Sequence, residues 1–440
     1  MSLYPPVKVG LLGLGTVGGG VTRVLARNVK EISRRAGREI VVTHAAARNL
    51  DTTTANTAGI KLTGEALEVV NDPDVSIIVE LMGGYEPARG LVLRALANGK
   101  HVVTANKALI AKHGNEIFAA ARTAGMMVGF EAAVAGGIPI IKAIREGLAG
   151  NHLEWVAGII NGTANFILTE MRDKGRDFPD VLAEAQALGY AEADPTFDIE
   201  GIDAAHKLTI LASIAFGIPL QFDKVYVEGI SRITRDDVAY AEQLGYRIKH
   251  LGMAHRSEQG AQLRVHPTLI PQRQLLANVN GVMNAVLVKG DAVGQSLFYG
   301  AGAGAEPTAS AVIADIIDMV RTLTADPENW VPHLAFQPDS LSDLPVLPMD
   351  QVETAYYLRL QAQDRPGVLA DVTRIFGDRG ISIEAILQKE PPPGAHDVPI
   401  ILLTHRVRER RMNEAIAAIE ALDSIHGPVT RIRLEHLDSD

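Results

Sequence analysis

The 440-residue chain contains no cysteine. Disulfides, thiolate metal sites and a thiol nucleophile are therefore excluded together. A long apolar run is missing as well. Residues 208–222 carry no charge, yet they fall short of the ~18 residues a membrane helix needs. The opening Met1-Ser2-Leu3-Tyr4-Pro5-Pro6 shows no basic-then-apolar leader pattern. Excess positive charge is also lacking: the formal net charge is −10, which argues against a nucleic-acid-binding surface. These absences leave a cytoplasmic protein as the default expectation, with neither nucleic acid nor membrane as a partner. The length allows about two to four domains.

What is present is an alternation. Residues 7–12 form a near-continuous apolar run, as expected of a strand buried on both faces. A helical pattern follows from residue 16 to about 30, then strands at 40–47, 75–80, 101–104 and 126–134. Helices at 87–98 and 107–124 lie between them. Such alternation predicts an α/β fold with a doubly wound parallel sheet over residues 1–135. Beyond it the rhythm changes. Strands at 155–160, 224–228 and 248–254 are separated by helices at 138–148, 201–217, 236–244 and 308–323, a mixed α+β domain over residues 136–325. A Pro- and Asp-rich linker occupies 326–353. Residues 354–440 close the chain as a short βαββαβ unit, with a turn at Pro391-Pro392-Pro393-Gly394.

Gly13-Leu14-Gly15-Thr16-Val17-Gly18 directly follows the first strand and opens a helix. Gly13 permits the tight turn, Gly15 the approach of a pyrophosphate, and Gly18 close helix–strand packing. The helix N-terminus, at Thr16 and Val17, then faces phosphate. The second strand ends in Ala45-Ala46-Ala47-Arg48 rather than in an acid. Arg48 can accept a 2′-phosphate, which favours NADP over NAD, although Asp51 remains an alternative ribose partner. Two more loops lie where strand ends gather. Met82-Gly83-Gly84 is expected near the nicotinamide. Thr104-Ala105-Asn106-Lys107 starts a helix with a cation, against the dipole, which suggests an anionic ligand.

In the second domain, Asn161-Gly162-Thr163-Ala164-Asn165 forms a strand–helix turn whose polar side chains either cap the helix or face a substrate. Gly300 to Gly304, with Gly302 at its centre, permits a backbone nest beside the cofactor or a loop packed under it. The densest cluster of chemistry is the segment 191–207. It carries Glu192, Asp194, Asp198, Asp203, His206 and Lys207. Asp203 and Lys207 are four apart and share one helix face. Lys207 adjoins an apolar stretch, where loss of hydration makes its proton easier to give up. His206 has no second histidine at zinc-ligand spacing and is expected to be packed.

This segment resembles the homoserine dehydrogenase family. The matching positions are Ala185, Gly189, Tyr190, Ala191, Asp194, Pro195, Asp198, Gly201, Asp203 and Lys207. Ala105-Asn106-Lys107 and the Asn161-Gly162-Thr163-Ala164-Asn165 run fit the same family. The resemblance implies reversible NAD(P)H-dependent reduction of L-aspartate 4-semialdehyde to L-homoserine, in threonine, methionine and isoleucine synthesis. It implies Lys207 as the proton donor and acceptor, positioned by Asp203. Glu192, Asp198, Lys107 and Thr163 become substrate-facing groups. Thr104, Lys107 and Gly302 join the Gly13–Gly18 loop at the cofactor. A monovalent cation, Na⁺ or K⁺, is implied on Glu131, Val134, Gly136 and Ile138; pattern alone reads that stretch as a hinge. The missing cysteine excludes a phosphorylating aldehyde dehydrogenase.

Asp364-Arg365-Pro366-Gly367-Val368-Leu369 and the later Gly380-Ile381-Ser382-Ile383 resemble the ACT domain, a ferredoxin-like regulatory module that binds amino acids. Asp364, Gly367, Val368 and Leu369 are the implied effector-binding residues. L-Threonine is the expected effector, and a homodimer or homotetramer the expected assembly. A non-catalytic amino-acid sensor built from the same modules is the competing reading.

Overall fold

Six strands build the first layer of the computed structural model, which describes residues 4–49, 55–389 and 397–437. They are β1 (Val7–Leu12), β2 (Ile40–Ala46), β3 (Lys61–Thr63), β4 (Ile77–Glu80), β5 (His101–Thr104) and β6 (Val128–Gly129). Every pair is parallel, in the order β3-β2-β1-β4-β5-β6. Helices α1 (Thr16–Arg27), α2 (Val29–Ala36), α3 (Ala66–Asn71), α4 (Ala88–Ala97) and α5 (Lys107–Ala124) make the crossovers. The strand order reverses between β1 and β4, so the ligand crevice of this Rossmann fold opens at their carboxyl ends. The strand expected at 126–134 is much shorter. After Gly129 the chain turns into a 3₁₀ turn, Glu131–Ala133, because the Glu131 N–H bonds the buried Asp315 carboxylate at 2.8 Å instead of a neighbouring strand. Asp51 and the turn at Pro391-Pro392-Pro393-Gly394 lie outside the described residues.

The second domain begins with α6 (Ile140–Lys142), which widens into a π-helical turn, Ala143–Gly147, where a plain helix was expected. Then follow β7 (Leu153–Ile159), α7 (Gly162–Lys174), α8 (Phe178–Ala187), α9 (Thr196–Ile199), α10 (Ile202–Phe216), β8 (Tyr226–Val227) and α11 (Arg235–Gln243). Sequence reading missed most of what comes next. A long hairpin pairs β9 (Tyr246–Ser257) with β10 (Gly260–Pro271), and a second pairs β11 (Met283–Gly290) with β12 (Gly294–Ala301). The buried Arg264, His266 and Thr268 in β10 obscured the apolar alternation. The last helix, α12 (Ala305–Thr322), was expected inside this domain but packs on the first. Its Ala309, Val312 and Ile316 share a core with Val21 and Val24 of α1.

Helix α10 positions the chemistry. Every residue from Asp203 to Phe216 is buried, a consequence of its nearly uninterrupted apolar sequence. Its Leu208 and Leu211 share a core with Ile110 and Ile117 of α5. Trimming either leucine to alanine should cost about 2–5 kcal/mol. This packing brings the start of α5 against the first turns of α10.

The closing unit is ferredoxin-like: β13 (Glu353–Gln363), α13 (Val368–Asp378), β14 (Ile383–Gln388), β15 (Asp397–Thr404), β16 (Val407–Arg408), α14 (Glu409–Glu420) and β17 (Thr430–Leu434). Its sheet does not stand apart. β17 pairs in parallel with β10 at Thr268–Arg433 and Leu269–Leu434, so one continuous sheet runs from β12 to β14. The linker is not a free tether either. Val346 bridges Ala261, and Leu334, Leu341 and Leu344 pack on the catalytic core.

Candidate active site

The phosphate loop has the geometry its glycines predict. Gly13 has φ +108°, and a Cβ there would lie 2.8 Å from the Leu81 carbonyl oxygen. A Cβ on Gly18 would lie 2.2 Å from the Gly13 oxygen, whereas one on Gly15 would meet nothing within 4 Å. The open space at Gly15 is where a pyrophosphate can approach. Gly15 caps α1 without a side-chain bond, and the first turn, starting Thr16 and Val17, holds no acid, so the helix N-terminus offers its amides to an anion. Arg48 is exposed just past the end of β2. These residues fit a dinucleotide.

Glu80 went unnoticed in the sequence, although an acid ending an apolar strand is a signal. It is fully buried. Its carboxylate accepts the amides of Met82 (2.7 Å) and Gly83 (3.2 Å) and the Thr104 hydroxyl at 2.6 Å. Thr104 in turn accepts from the Asn106 amide. The Thr104 hydroxyl thus organises two loops at the crevice, its single donor spent on Glu80. Asn106 caps α5 by accepting from Leu109 N–H and donates to the Gly84 carbonyl at 2.6 Å.

Asp203 is the centre of the second half. One carboxylate oxygen lies 2.6 Å from Lys207 Nζ and the other 3.0 Å from Lys107 Nζ. Lys207 also donates to the Ile160 carbonyl at 2.7 Å. An ammonium has three N–H donors, so one is left for a substrate. Asn161, which sequence left between capping and substrate contact, does a third job. Its oxygen caps α7 through Ala164 N–H, while its nitrogen donates to Asp198 (2.7 Å) and Asp203 (2.9 Å). Thr163 does not face the cluster with a free hydroxyl, because it donates to the Tyr190 carbonyl at 2.6 Å. Glu192 is exposed at the rim, where its charge supports that of Lys107.

Electrostatics separates the two lysines. Burial pushes the Lys207 pKa down, and the neighbouring Lys107 adds to this against the pull of Asp203. Lys107 is held above its ordinary value by Asp203, because it is less desolvated. Burial would raise Asp203, but the two ammonium groups outweigh it and hold the carboxyl below its usual range. Asp198 is raised by burial. His206 is packed as expected, stacked between Phe197 and Phe222, and burial lowers it to about 4.

Three consecutive family models match this chain. They are the NAD binding domain of homoserine dehydrogenase over residues 13–131, homoserine dehydrogenase over 139–317, and the ACT domain over 356–424. A homoserine dehydrogenase of Pseudomonas aeruginosa is 67% identical over 433 residues, 98% of this chain and 100% of that one. The chain belongs to the homoserine dehydrogenase family. The crystal structure of a homoserine dehydrogenase from Thiobacillus denitrificans superposes with a TM-score of 0.94 at 68% identity, over 98% of this chain and 99% of that one. A hyperthermophilic archaeal homoserine dehydrogenase in complex with NADPH matches at 26% identity and a TM-score of 0.62, over 72% of this chain and 98% of that one.

A homoserine dehydrogenase is an NAD(P)-dependent oxidoreductase of amino-acid biosynthesis, and this one carries a C-terminal ACT domain. Among the described residues no helix is long and apolar enough to cross a membrane. The family also implies a monovalent cation near residue 131. The Glu131 carboxylate already accepts Ile141 N–H (2.9 Å) and Lys142 N–H (2.8 Å). The backbone fits better. Ala135 and Gly136 are both left-handed, with φ +54° and +49°. Among the described residues no backbone N–H donates to the carbonyls of Val134 or Gly136, whereas those of Glu131 and Ile138 accept from Val134 and Ile140. Gly302 packs here rather than openly, its carbonyl 2.6 Å from where a Gly136 Cβ would stand. The turn expected to bind an effector is a separate place. Asp364 and Gly367 are exposed, Leu369 half-buried and Val368 buried, with Gly367 capping α13.

Proposed function

We propose that this homoserine dehydrogenase reduces aspartate 4-semialdehyde with Lys207 as its acid and oxidises homoserine with the same group as its base. One observation carries the reading: a buried lysine with a lowered pKa and one uncommitted donor is fixed by Asp203, which also pairs with Lys107 at the carboxyl end of β5 in the nucleotide-binding domain. The Gly13–Gly18 loop and the N-terminus of α1 would hold a nicotinamide dinucleotide, which would supply or take up the hydride. Lys207 Nζ gives its proton to the aldehyde oxygen as negative charge grows there, and removes it in reverse. Asp203 keeps Nζ aimed and offsets the charge on the protonated form. Lys107 has donors left over to hold the substrate carboxylate, and Asp198 with Glu192 holds the substrate ammonium. Arg48 favours NADPH, in line with the NADPH complex of the archaeal relative. Backbone carbonyls of Val134 and Gly136, with the remaining lone pairs of those of Glu131 and Ile138, would hold a monovalent cation. L-Threonine acts at Asp364, Gly367, Val368 and Leu369, between paired ACT modules of a homodimer or homotetramer.

Steady-state kinetics on Lys207→Ala, with cofactor binding followed by nicotinamide fluorescence, tests the catalytic reading. Retention of wild-type kcat would reject it. Threonine inhibition that persists in Asp364→Ala, or is absent from the native enzyme at millimolar effector, would reject the regulatory one.

A further inference from the structure

The seam between the ACT module and the catalytic domain is closed by a buried charge. Arg433, on β17, is wholly inaccessible. It donates through Nε and Nη2 to Glu409 at the start of α14, and through Nη1 to Glu228 Oε2 at 2.9 Å. Tyr226 donates its hydroxyl to Glu228 at 2.8 Å and accepts from Arg433 at 3.1 Å. Arg433 thus reaches across to Glu228 and Tyr226 of the catalytic domain, while its pair with Glu409 stays within the ACT module. A buried guanidinium is tolerated only when carboxylates surround it in this way.

Glu228 does not end the chain of contacts. Its backbone is clamped by the Val265 carbonyl, which accepts its N–H at 2.8 Å, and by His250 Nε2, 3.0 Å from its own carbonyl. Gly229 follows, packed so closely that a Cβ would lie 2.6 Å from the Ile199 carbonyl oxygen. The Ile230 N–H then donates to that same carbonyl at 2.8 Å. Ile199 is the last residue of α9, and Asp198 precedes it. The short helix carrying Asp198 has too few turns to hold itself. It is held at one side by Asn161 and at the other by the segment that starts at Glu228.

We propose that Arg433 of the ACT module and Glu228 of the catalytic domain are positioning residues of the dehydrogenase reaction, together setting Asp198 at the substrate from across the seam. This role rests on Asp198 holding the substrate ammonium. It makes the ACT module part of the active-site scaffold rather than an appended sensor. The route is a short run of packed backbone and charge-assisted hydrogen bonds, in which one shifted element moves the next.

The test is kinetic, on the full-length enzyme. Glu228→Gln should raise KM for aspartate semialdehyde roughly tenfold, with kcat within about twofold of wild type. NADPH affinity should be unchanged, because among the described residues no hydrogen bond or ion pair joins Arg433, Glu228, Tyr226 or Glu409 to the nucleotide domain. Glu228→Asp keeps the charge and should restore part of the loss. In an Asp198→Asn background, Glu228→Gln should add no further rise in KM. If Glu228→Gln fails to fold, Tyr226→Phe replaces it and should move KM in the same direction. An unchanged KM together with a lowered Tm would overturn the proposal, leaving the pair as a structural cross-link. Asp198→Asn separates the two readings. If it leaves KM unchanged, the substrate role of Asp198 fails. If it raises KM while Glu228→Gln and Tyr226→Phe do not, only the positioning role fails.

Discussion

Lys107 and Lys207 bind opposite oxygens of the Asp203 carboxylate, at 3.0 and 2.6 Å. One comes from the nucleotide-binding domain and the other from the catalytic helix, so the carboxylate ties the cofactor half of the site to the proton-transfer half. The two ammonium groups also repel each other, which makes the deeper one easier to deprotonate.

Replacing Lys207 should therefore abolish chemistry without disturbing nucleotide binding. Lys207→Ala is expected to lower kcat about 10²–10⁴-fold, the usual worth of a general acid. Fluorescence titration with NADPH should give an affinity close to wild type, because the hydrogen-bond partners of Lys207, Asp203 and the Ile160 carbonyl, lie in the catalytic domain.

The Lys107–Lys207 relationship predicts a shift in pH dependence. Homoserine oxidation needs neutral Lys207, so its rate should rise with pH through an apparent pKa below the ~10.4 of a free lysine. Lys107⁺ disfavours protonated Lys207. Lys107→Met removes that charge, raises the Lys207 pKa and should move the rising limb of kcat to higher pH. A limb that stays put or moves to lower pH would show that Lys107 does not act on Lys207 electrostatically.

Cofactor preference should follow Arg48. Arg48→Ala is expected to raise KM for NADPH well above any change for NADH, since only NADPH carries the 2′-phosphate. Comparable effects on both cofactors would remove Arg48 from the ribose site.

Truncation should be destructive. A chain ending near Thr324 keeps both catalytic domains in sequence, and a detachable ACT module would leave such a chain active. In the folded protein, however, β17 completes the sheet beside β10, and Asp237 of α11 is buried against Arg359 of β13 at 2.6 Å. Removing the module takes away this partner and leaves the edge of β10 bare, a template for pairing with other chains. The truncated protein is expected to be insoluble or inactive, as size-exclusion chromatography and activity assays would reveal. An active, monodisperse product would show that the seam is dispensable.

Much of the fold was legible in the sequence wherever a local rule controls the outcome. The Gly13–Gly18 loop follows from backbone sterics. The Asp203–Lys207 pair follows from the pitch of one helix, and the βαββαβ order of the last module from short, strongly patterned elements. The hairpins after Tyr246 were not legible, because buried polar residues such as Arg264, His266 and Thr268 break the alternation that marks a strand. Thr104 and Thr163 read as ligand-facing hydroxyls. Their partners, Glu80 and the Tyr190 carbonyl, are distant in sequence and could not be foreseen.

The sequence by itself determined which groups can do the chemistry: a lysine set among acids, a phosphate-binding turn, and no thiol to compete with them. Tertiary structure alone decided how they meet. Packing of α10 on α5 delivers Lys107 to Asp203, and the insertion of β17 beside β10 brings Arg433 to Glu228. Each contact joins residues far apart along the chain, so its geometry is set by the burial of whole helix and strand faces, which no local pattern encodes.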